Sequence, residues 1–386
     1  MVSSTRESGD RRKRDLEEED GFSFFDRVRA SLLDGTDDTQ IEQGQDSTIL
    51  KVNHGDQIWR LMHVSCVFGM TRLSSLTGER TVLDSLLSSA KGAMMAAFDF
   101  NNRRENIVQN LREITKDCDL KMTLDFYDTA RISRIGAEVL SQHVHRSEYP
   151  YQTSAVMGAV RSAVSLPMAI LNTVKKIPQI SYASTSTSLD QYRFFGRVVP
   201  SNDGDAQAAV DFLAQQKSTH LAILYVADEY GTAYRLSVEQ AATRAGILTQ
   251  SVAIPWGQQE QSSEESTRNN MESAVAALVE TGYNHFVGII FRQHLYELID
   301  LGAPLGLVGP GKFWILGDGV STSSISAISY PKDSVHARAL QGLALISTRA
   351  ASSGGHYQRF LDSFESLTDD QDFLQYFESK SVSQNC

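Results

Sequence analysis

From Ile58 onward the chain alternates short apolar runs with amphipathic stretches, and this alternation restricts the fold more than any other feature. The pattern predicts strands over Ile58–Val67, Lys121–Tyr127, Ala155–Gly158, Gln179–Ser181, Leu221–Val226, Ile247–Ile254, His285–Phe291 and Phe313–Leu316. Between them it predicts helices over Val82–Asn101, Ile132–His145, Leu166–Lys175, Ala206–Gln215, Thr232–Ala245, Met271–Thr281 and Gln293–Leu301. Strands that alternate with helices of this length build parallel sheets covered by helices on both faces. So many units overfill one small doubly wound sheet, and 386 residues suit two lobes, each with its own core.

Composition narrows the function classes. The formal charge of -11 leaves no basic face for a nucleic-acid backbone. The longest apolar candidate, Ile58 to Met70, contains Arg60 and His63 and falls short of the roughly 20 residues needed to cross a bilayer. Three cysteines, Cys66, Cys118 and Cys386, are too few for a disulfide framework. Residues 1–55 carry opposed charge blocks, Arg11 to Arg14 against Asp15 to Asp20, without hydrophobic periodicity, and read as a disordered tail. The N-terminus has no apolar signal-peptide core. Gly257 to Asn270 is polar and aperiodic and reads as an exposed loop.

Candidate chemistry sits at the ends of strands, where ligands of open α/β sheets bind against helix N-termini. Ile177–Pro200 runs from a short strand into Ser184-Thr185-Ser186-Thr187-Ser188, hydroxyls and backbone N–H groups suited to a carboxylate. Arg161-Ser162 opens a helix that contains Pro167, and Ser162 or Ser165 can cap it. Asp228-Glu229-Tyr230-Gly231 and Gly317-Asp318-Gly319 follow two later strands. Helix capping, dipole compensation and turn formation account for each of these alone as well as binding does. The near P-loop Gly306 to Lys312 has Phe313 where Ser or Thr is required and precedes its strand. His143 and His145 are two positions apart and do not share a helix face, so no metal site is expected. No cofactor and no catalytic residue is expected either, since neither G-x-G-x-x-G nor G-x-S-x-G occurs.

In order and wording, these junctions resemble the ligand-binding modules of class C G-protein-coupled receptors, the metabotropic glutamate and calcium-sensing type. The resemblance runs from about Ile58 to the end and is densest from Ala155 to Gly231. It implies a two-lobed, type I periplasmic-binding-protein-like α/β clamp, each lobe a mainly parallel sheet flanked by helices. Lobe 1 would comprise 56–199 plus 331–386 and lobe 2 200–330, with crossovers near Pro200, Ile254–Gln258 and Ser329–Lys332. By resemblance, Ser162 and Thr185, with Ser184 beside them, hold the carboxylate of a small amino acid or related zwitterion, while Tyr230 and Asp318 hold its amine. The resemblance implies that lobe 1 can carry a homodimer contact. It also implies an extracellular setting, with membrane attachment only through a region that this chain lacks.

The chain departs from the family pattern at three positions. Asn202 stands where the family has an aspartate, with Asp203 next to it, and Ala183 replaces a serine of some glutamate-binding members. Arg161 replaces a small residue, where its guanidinium either recruits a second carboxylate or fills the seat of the first. The expected function is therefore reversible, non-catalytic binding by lobe closure. The alternatives are a ligand-free dimerisation module of the same fold and a soluble amino-acid-binding protein.

Overall fold

A computed structural model describes residues 40–43, 49–54, 57–73, 80–82, 84–118, 120–145, 153–255, 264–322, 325, 330–331, 334–346 and 354–366. The first sheet contains β1 (Gln40–Gln43), β2 (Ile49–His54), β3 (Gln57–Phe68), β6 (Leu120–Asp128), β7 (Ala155–Gly158), β8 (Gln179–Ser181) and β9 (Phe195–Arg197). β6, β3, β7, β8 and β9 are parallel neighbours in that order, whereas β1 and β2 add an antiparallel extension to β3. A separate two-strand ribbon pairs β4 (Thr71–Leu73) with β5 (Arg80–Val82). The second sheet runs β11 (Leu248–Ile254), β10 (His220–Val226), β12 (His285–Ile289), β13 (Phe313–Leu316) and β14 (Leu343–Leu345), all parallel.

The connecting helices are α1 (Asp84–Asn101), α2 (Leu111–Ile114), α3 (Ser133–Val139, continued by a π-turn over Leu140–Val144), α4 (Ser162–Lys175) and α5 (Asn202–Gln215). They are followed by α6 (Glu229–Ala245), α7 (Glu264–Thr281), α8 (Arg292–Gly302), α9 (Val335–Ala339) and α10 (Gly355–Ser366). Both sheets are doubly wound in the same sense: the first strand of each is followed by a neighbour on one side and then by one on the other. That reversal opens a crevice beyond the strand C-termini, at β3/β7 in one sheet and β10/β12 in the other. Among the described residues no helix is long and apolar enough to cross a membrane.

Burial explains why these segments hold. Leu221, Ala222, Ile223 and Leu224 of β10 are fully buried in sequence, as expected for a central strand covered on both faces. Trp314 lies 4.4 Å from Phe286, centroid to centroid and nearly coplanar, and its indole N–H donates to Leu307 O at 3.0 Å. Around β3, Val64, Cys66 and Phe68 pack on Met94 and Met95 of α1. Burial holds the Cys66 thiol in its neutral form, far above the ordinary thiol range.

The structure corrects several expectations. The stretch assigned to a disordered tail contributes β1 and β2, and β2 pairs antiparallel with β3 in a register that sets His54 opposite Gln57. The aperiodic segment ending at Asn270 contains the first turns of α7, whose acidic opening suits a helix N-terminus. β11 and α7, which flank the crossover expected near Ile254–Gln258, both belong to the second sheet's unit, and Gln258 lies outside the described residues. The return expected near Ser329–Lys332 lies later: β14 pairs with β13 and Ala339 joins the second core, whereas Phe360 and Phe364 of α10 pack on the first. α4 starts at Ser162, so Pro167 is interior to it instead of in its first turn, and its N-cap Arg161 makes no side-chain cap. Asp128 accepts from Met70 N at 2.8 Å and Thr71 N at 3.2 Å and ties two strand ends together.

Gly158, at the end of β7, has φ +132°, and a Cβ added there would lie 2.0 Å from Val67 O. Gly158→Ala therefore combines a forbidden backbone with a main-chain collision and is expected to destabilise by about 3 kcal/mol, read from the denaturant midpoint. An unchanged midpoint would show that the β3/β7 edge is loosely packed.

Candidate functional site

The carboxyl ends of the two sheets face each other. On the first side, the backbone of Ala159 organises the junctions. Its N–H donates to Ser165 Oγ at 2.9 Å, and its carbonyl accepts from Ser181 Oγ at 2.7 Å and Ser184 Oγ at 3.1 Å. Ser162 Oγ accepts from Ser186 N at 3.2 Å, and Ser181 Oγ accepts from Ser184 N at 2.9 Å. These hydroxyls lock the loop after β8 onto the loop after β7. Ser184, fully buried, is thus part of the scaffold, and Ser162 supports the neighbouring turn.

On the second side, α6 begins where β10 ends. Asp228, expected to compensate the helix dipole, is the N-cap itself and accepts from Gly231 N at 2.8 Å. Its other oxygen accepts from Arg161 Nη2 at 2.9 Å, with both side chains buried. Burial raises the Asp228 carboxyl above its ordinary range, and Arg161 opposes that shift. The Arg161 guanidinium also lies over the Phe291 ring, 4.9 Å from its centroid. Glu229 accepts from Ser186 Oγ at 3.0 Å and from the Ser188 hydroxyl, again across the two units.

Asp318 lies at the centre. Its Oδ1 accepts from Tyr230 OH at 2.6 Å and stands 3.4 Å from Asn202 Nδ2, and the Thr185 hydroxyl also bonds to it. Burial raises the Asp318 carboxyl, and those neutral donors oppose the rise only in part. Tyr230 is driven well above the usual phenol range, first by burial and then by Asp318. Its hydroxyl accepts from Gly319 N at 3.1 Å, and its ring stacks on Phe291. Asn202 opens α5, and its amide Oδ1 is buried with no hydrogen-bond partner among the described residues. Asp203 does not substitute for it: its carboxylate turns to Ser237 Oγ at 2.5 Å.

Thr185, Tyr230, Asn202 and Asp318 are therefore gathered at one point, and Arg161 beside them is paired with Asp228. Sequence reasoning missed Phe291 and His294 at the β12–α8 junction; the predicted strand ran through Phe291, which is instead the N-cap of α8. The decoys resolve into structural roles. Lys312 binds Tyr283 O and Asn284 Oδ1, both at 2.8 Å, His143 stacks on Tyr127, and His145 Nε2 lies 2.8 Å from Asn172 Oδ1.

His294 is fully buried, and its pKa is pushed down to about 3, first by burial and then by Arg161. A histidine whose folded pKa is depressed favours the native state above its unfolded pKa, and that contribution is lost as pH falls from about 6.5 toward 3. Stability is expected to fall across this window with a slope of up to about 1.4 kcal/mol per pH unit from this residue. His294→Gln is expected to flatten that slope, which denaturation at several pH values measures.

The sequence profile described as "Receptor family ligand binding region" matches residues 90–383. Rat metabotropic glutamate receptor 4 is 38% identical over 111 residues, 28% of this chain and 12% of the receptor. Human metabotropic glutamate receptor 8 is 31% identical over 198 residues, 46% of this chain and 22% of that receptor. The chain thus spans less than a quarter of the length of either relative. Among solved structures, an ABC transporter substrate-binding protein from Desulfitobacterium hafniense matches with a TM-score of 0.51 at 18% identity, over 79% of this chain and 76% of that one. That likeness shows the fold, an α/β architecture of periplasmic-binding-protein type with two parallel-stranded sheets flanked by helices. With the profile matching most of its length, the chain belongs to the receptor family ligand binding region.

Proposed function

We propose that the cleft between the two units reversibly binds a small amino acid or related zwitterion, without catalysis, and that closure of the units over it is the signal. The observation that carries this reading is Asp318. A buried carboxylate held by Tyr230, Asn202 and Thr185, from both units, has only neutral donors around it. An arriving ammonium supplies the missing positive charge and three N–H groups. Side chains that bridge the cleft, Arg161 to Asp228 and Ser186 to Glu229, are contacts that an open form would lack. Ligand would then shift a population between open and closed arrangements. The relatives are named for glutamate, so α-amino acids are the natural first probes. Calorimetric titration with the common amino acids tests the reading; absence of heat with all of them, from folded protein, would sink it.

A second reading rests on the outer face of α4, where Ile170 and Val174 are 43% and 75% exposed and one helical turn apart. That face fits a second copy of the chain. If it forms a homodimer, Val174→Asp will shift the sedimentation coefficient to that of a monomer.

A further inference from the structure

We propose that Arg197, the last residue of β9, is a positioning residue of the cleft: by holding carbonyls of the loop after β8 it presents the Thr185 backbone N–H to a ligand carboxylate. This rests on the cleft being the binding site proposed above and concerns what holds its loop in the binding form. Arg197 Nη1 donates to Ser184 O at 3.3 Å and to Ser186 O at 2.8 Å, while Nη2 pairs with Asp190. The Arg197 side chain is 10% exposed and that of Asp190 58%, so the guanidinium is turned into the loop and the carboxylate steers it from outside. Ser186 O also accepts from Leu189 N at 3.3 Å, but among the described residues the Ser184 carbonyl has Arg197 as its partner. Arg197 is thus the group that fixes the tilt of the Ser184–Thr185 peptide.

A trans peptide is planar, with its C=O and N–H directed oppositely. Fixing the Ser184 carbonyl on Arg197 turns the Thr185 N–H away from the guanidinium, and among the described residues no group accepts from it. Its other bonds place Thr185 on the crevice: the hydroxyl bonds to Asp318, and the carbonyl accepts from Asn202 N at 3.0 Å. On the facing loop Ser162 Oγ accepts from Ser186 N at 3.2 Å and retains its own proton to donate. Two donors at one place suit a carboxylate, and the Thr185 N–H is aimed only while the Ser184 carbonyl is held. Arginine suits this task because its planar fork reaches two carbonyls and Asp190 together. A lysine ammonium, a point charge on a flexible stem, does not hold that arrangement.

The test is calorimetric titration of the full chain and of Arg197→Lys with amino acids paired with their decarboxylated amines: alanine with ethylamine, phenylalanine with phenethylamine, glutamate with 4-aminobutyrate. An amine too weak to titrate alone is measured by competition with its amino acid. In a pair that the parent binds, the amino acid is expected to bind at least about tenfold more tightly than its amine, and Arg197→Lys to cut that preference by about tenfold. A residue that merely stabilised the fold would weaken both members alike, so an unchanged ratio overturns the inference. Asp190→Asn, at an exposed site, serves if Arg197→Lys does not fold. It is expected to lower the same ratio by about threefold, and no change in it again overturns the inference. A parent that binds amines as tightly as amino acids overturns the inference and leaves the cleft standing as an amine site. No heat from any compound, with the parent folded by circular dichroism, overturns both.

Discussion

Asp318→Asn is expected to weaken binding of an amine ligand by about a hundredfold while raising the melting temperature of the unliganded protein. The two effects have opposite signs for one reason. In the free protein Asp318 is a carboxylate that burial disfavours, held by Tyr230, Asn202 and Thr185. Asn keeps the shape and one acceptor oxygen for Tyr230 but removes the desolvated charge. The apo fold therefore gains what the ligand loses, the pattern expected where a site is maintained against stability. The sign also fixes the pH dependence. Because the Asp318 pKa is raised, the ionised form that an ammonium needs disappears as pH falls through that raised value, and affinity falls with it. In the Asn variant this acid limb is absent. Calorimetry and thermal melts on the same preparations read both quantities. If the variant bound as tightly as the parent, the amine would lie elsewhere; if it bound weakly and also melted lower, the residue would be structural.

The fold was legible because its information is local. Buried parallel strands announce themselves as apolar runs, and each strand predicted from Ile58 to Leu316 appears within a residue or two of its expected ends. The predicted helix starts are late at α7, which opens at Glu264, at α6, which opens at Glu229, and at α5, which opens at Asn202, since apolar periodicity there begins only after the first turn. The gathering of Thr185, Asn202, Tyr230 and Asp318 followed from their places at strand ends, which double winding brings to one crevice. The fate of each hydroxyl did not follow. Ser184 and Thr185 are adjacent in sequence and chemically alike, yet one turns inward to Ala159 O and the other meets Asp318. The partner of Arg161 was equally hidden, since Asp228 is 67 positions away and its capping role already explained it. Pairings between distant elements depend on how two units meet, which periodicity does not encode.

The Arg161–Asp228 pair is a buried ion pair across that meeting. Arg161→Met is expected to destabilise the protein by about 3 kcal/mol at neutral pH, because it leaves Asp228 a buried carboxylate without its cation. Asp228→Asn retains an oxygen for the Gly231 cap but strands the guanidinium, and is expected to cost about 2 kcal/mol. The double variant places two neutral groups face to face and is expected to lose less than Arg161→Met alone, giving a coupling of more than about 2 kcal/mol. The defect in Arg161→Met should also ease with acid. With its pKa already raised by burial and then deprived of Arg161, Asp228 takes up a proton as pH falls, and the unpaired charge vanishes. Additive single effects, or losses under about 0.5 kcal/mol, would show the pair to be solvent-screened and the units held apart. Strong coupling has a consequence for binding. The pair ties the start of α4 in one unit to the start of α6 in the other, so it favours the closed arrangement without any ligand. A ligand can shift that equilibrium only by its own differential affinity for the two forms. Arg161→Met should therefore bind an amine more weakly than the parent even though Asp318 and Tyr230 are intact, and small-angle scattering should show its unliganded form more expanded.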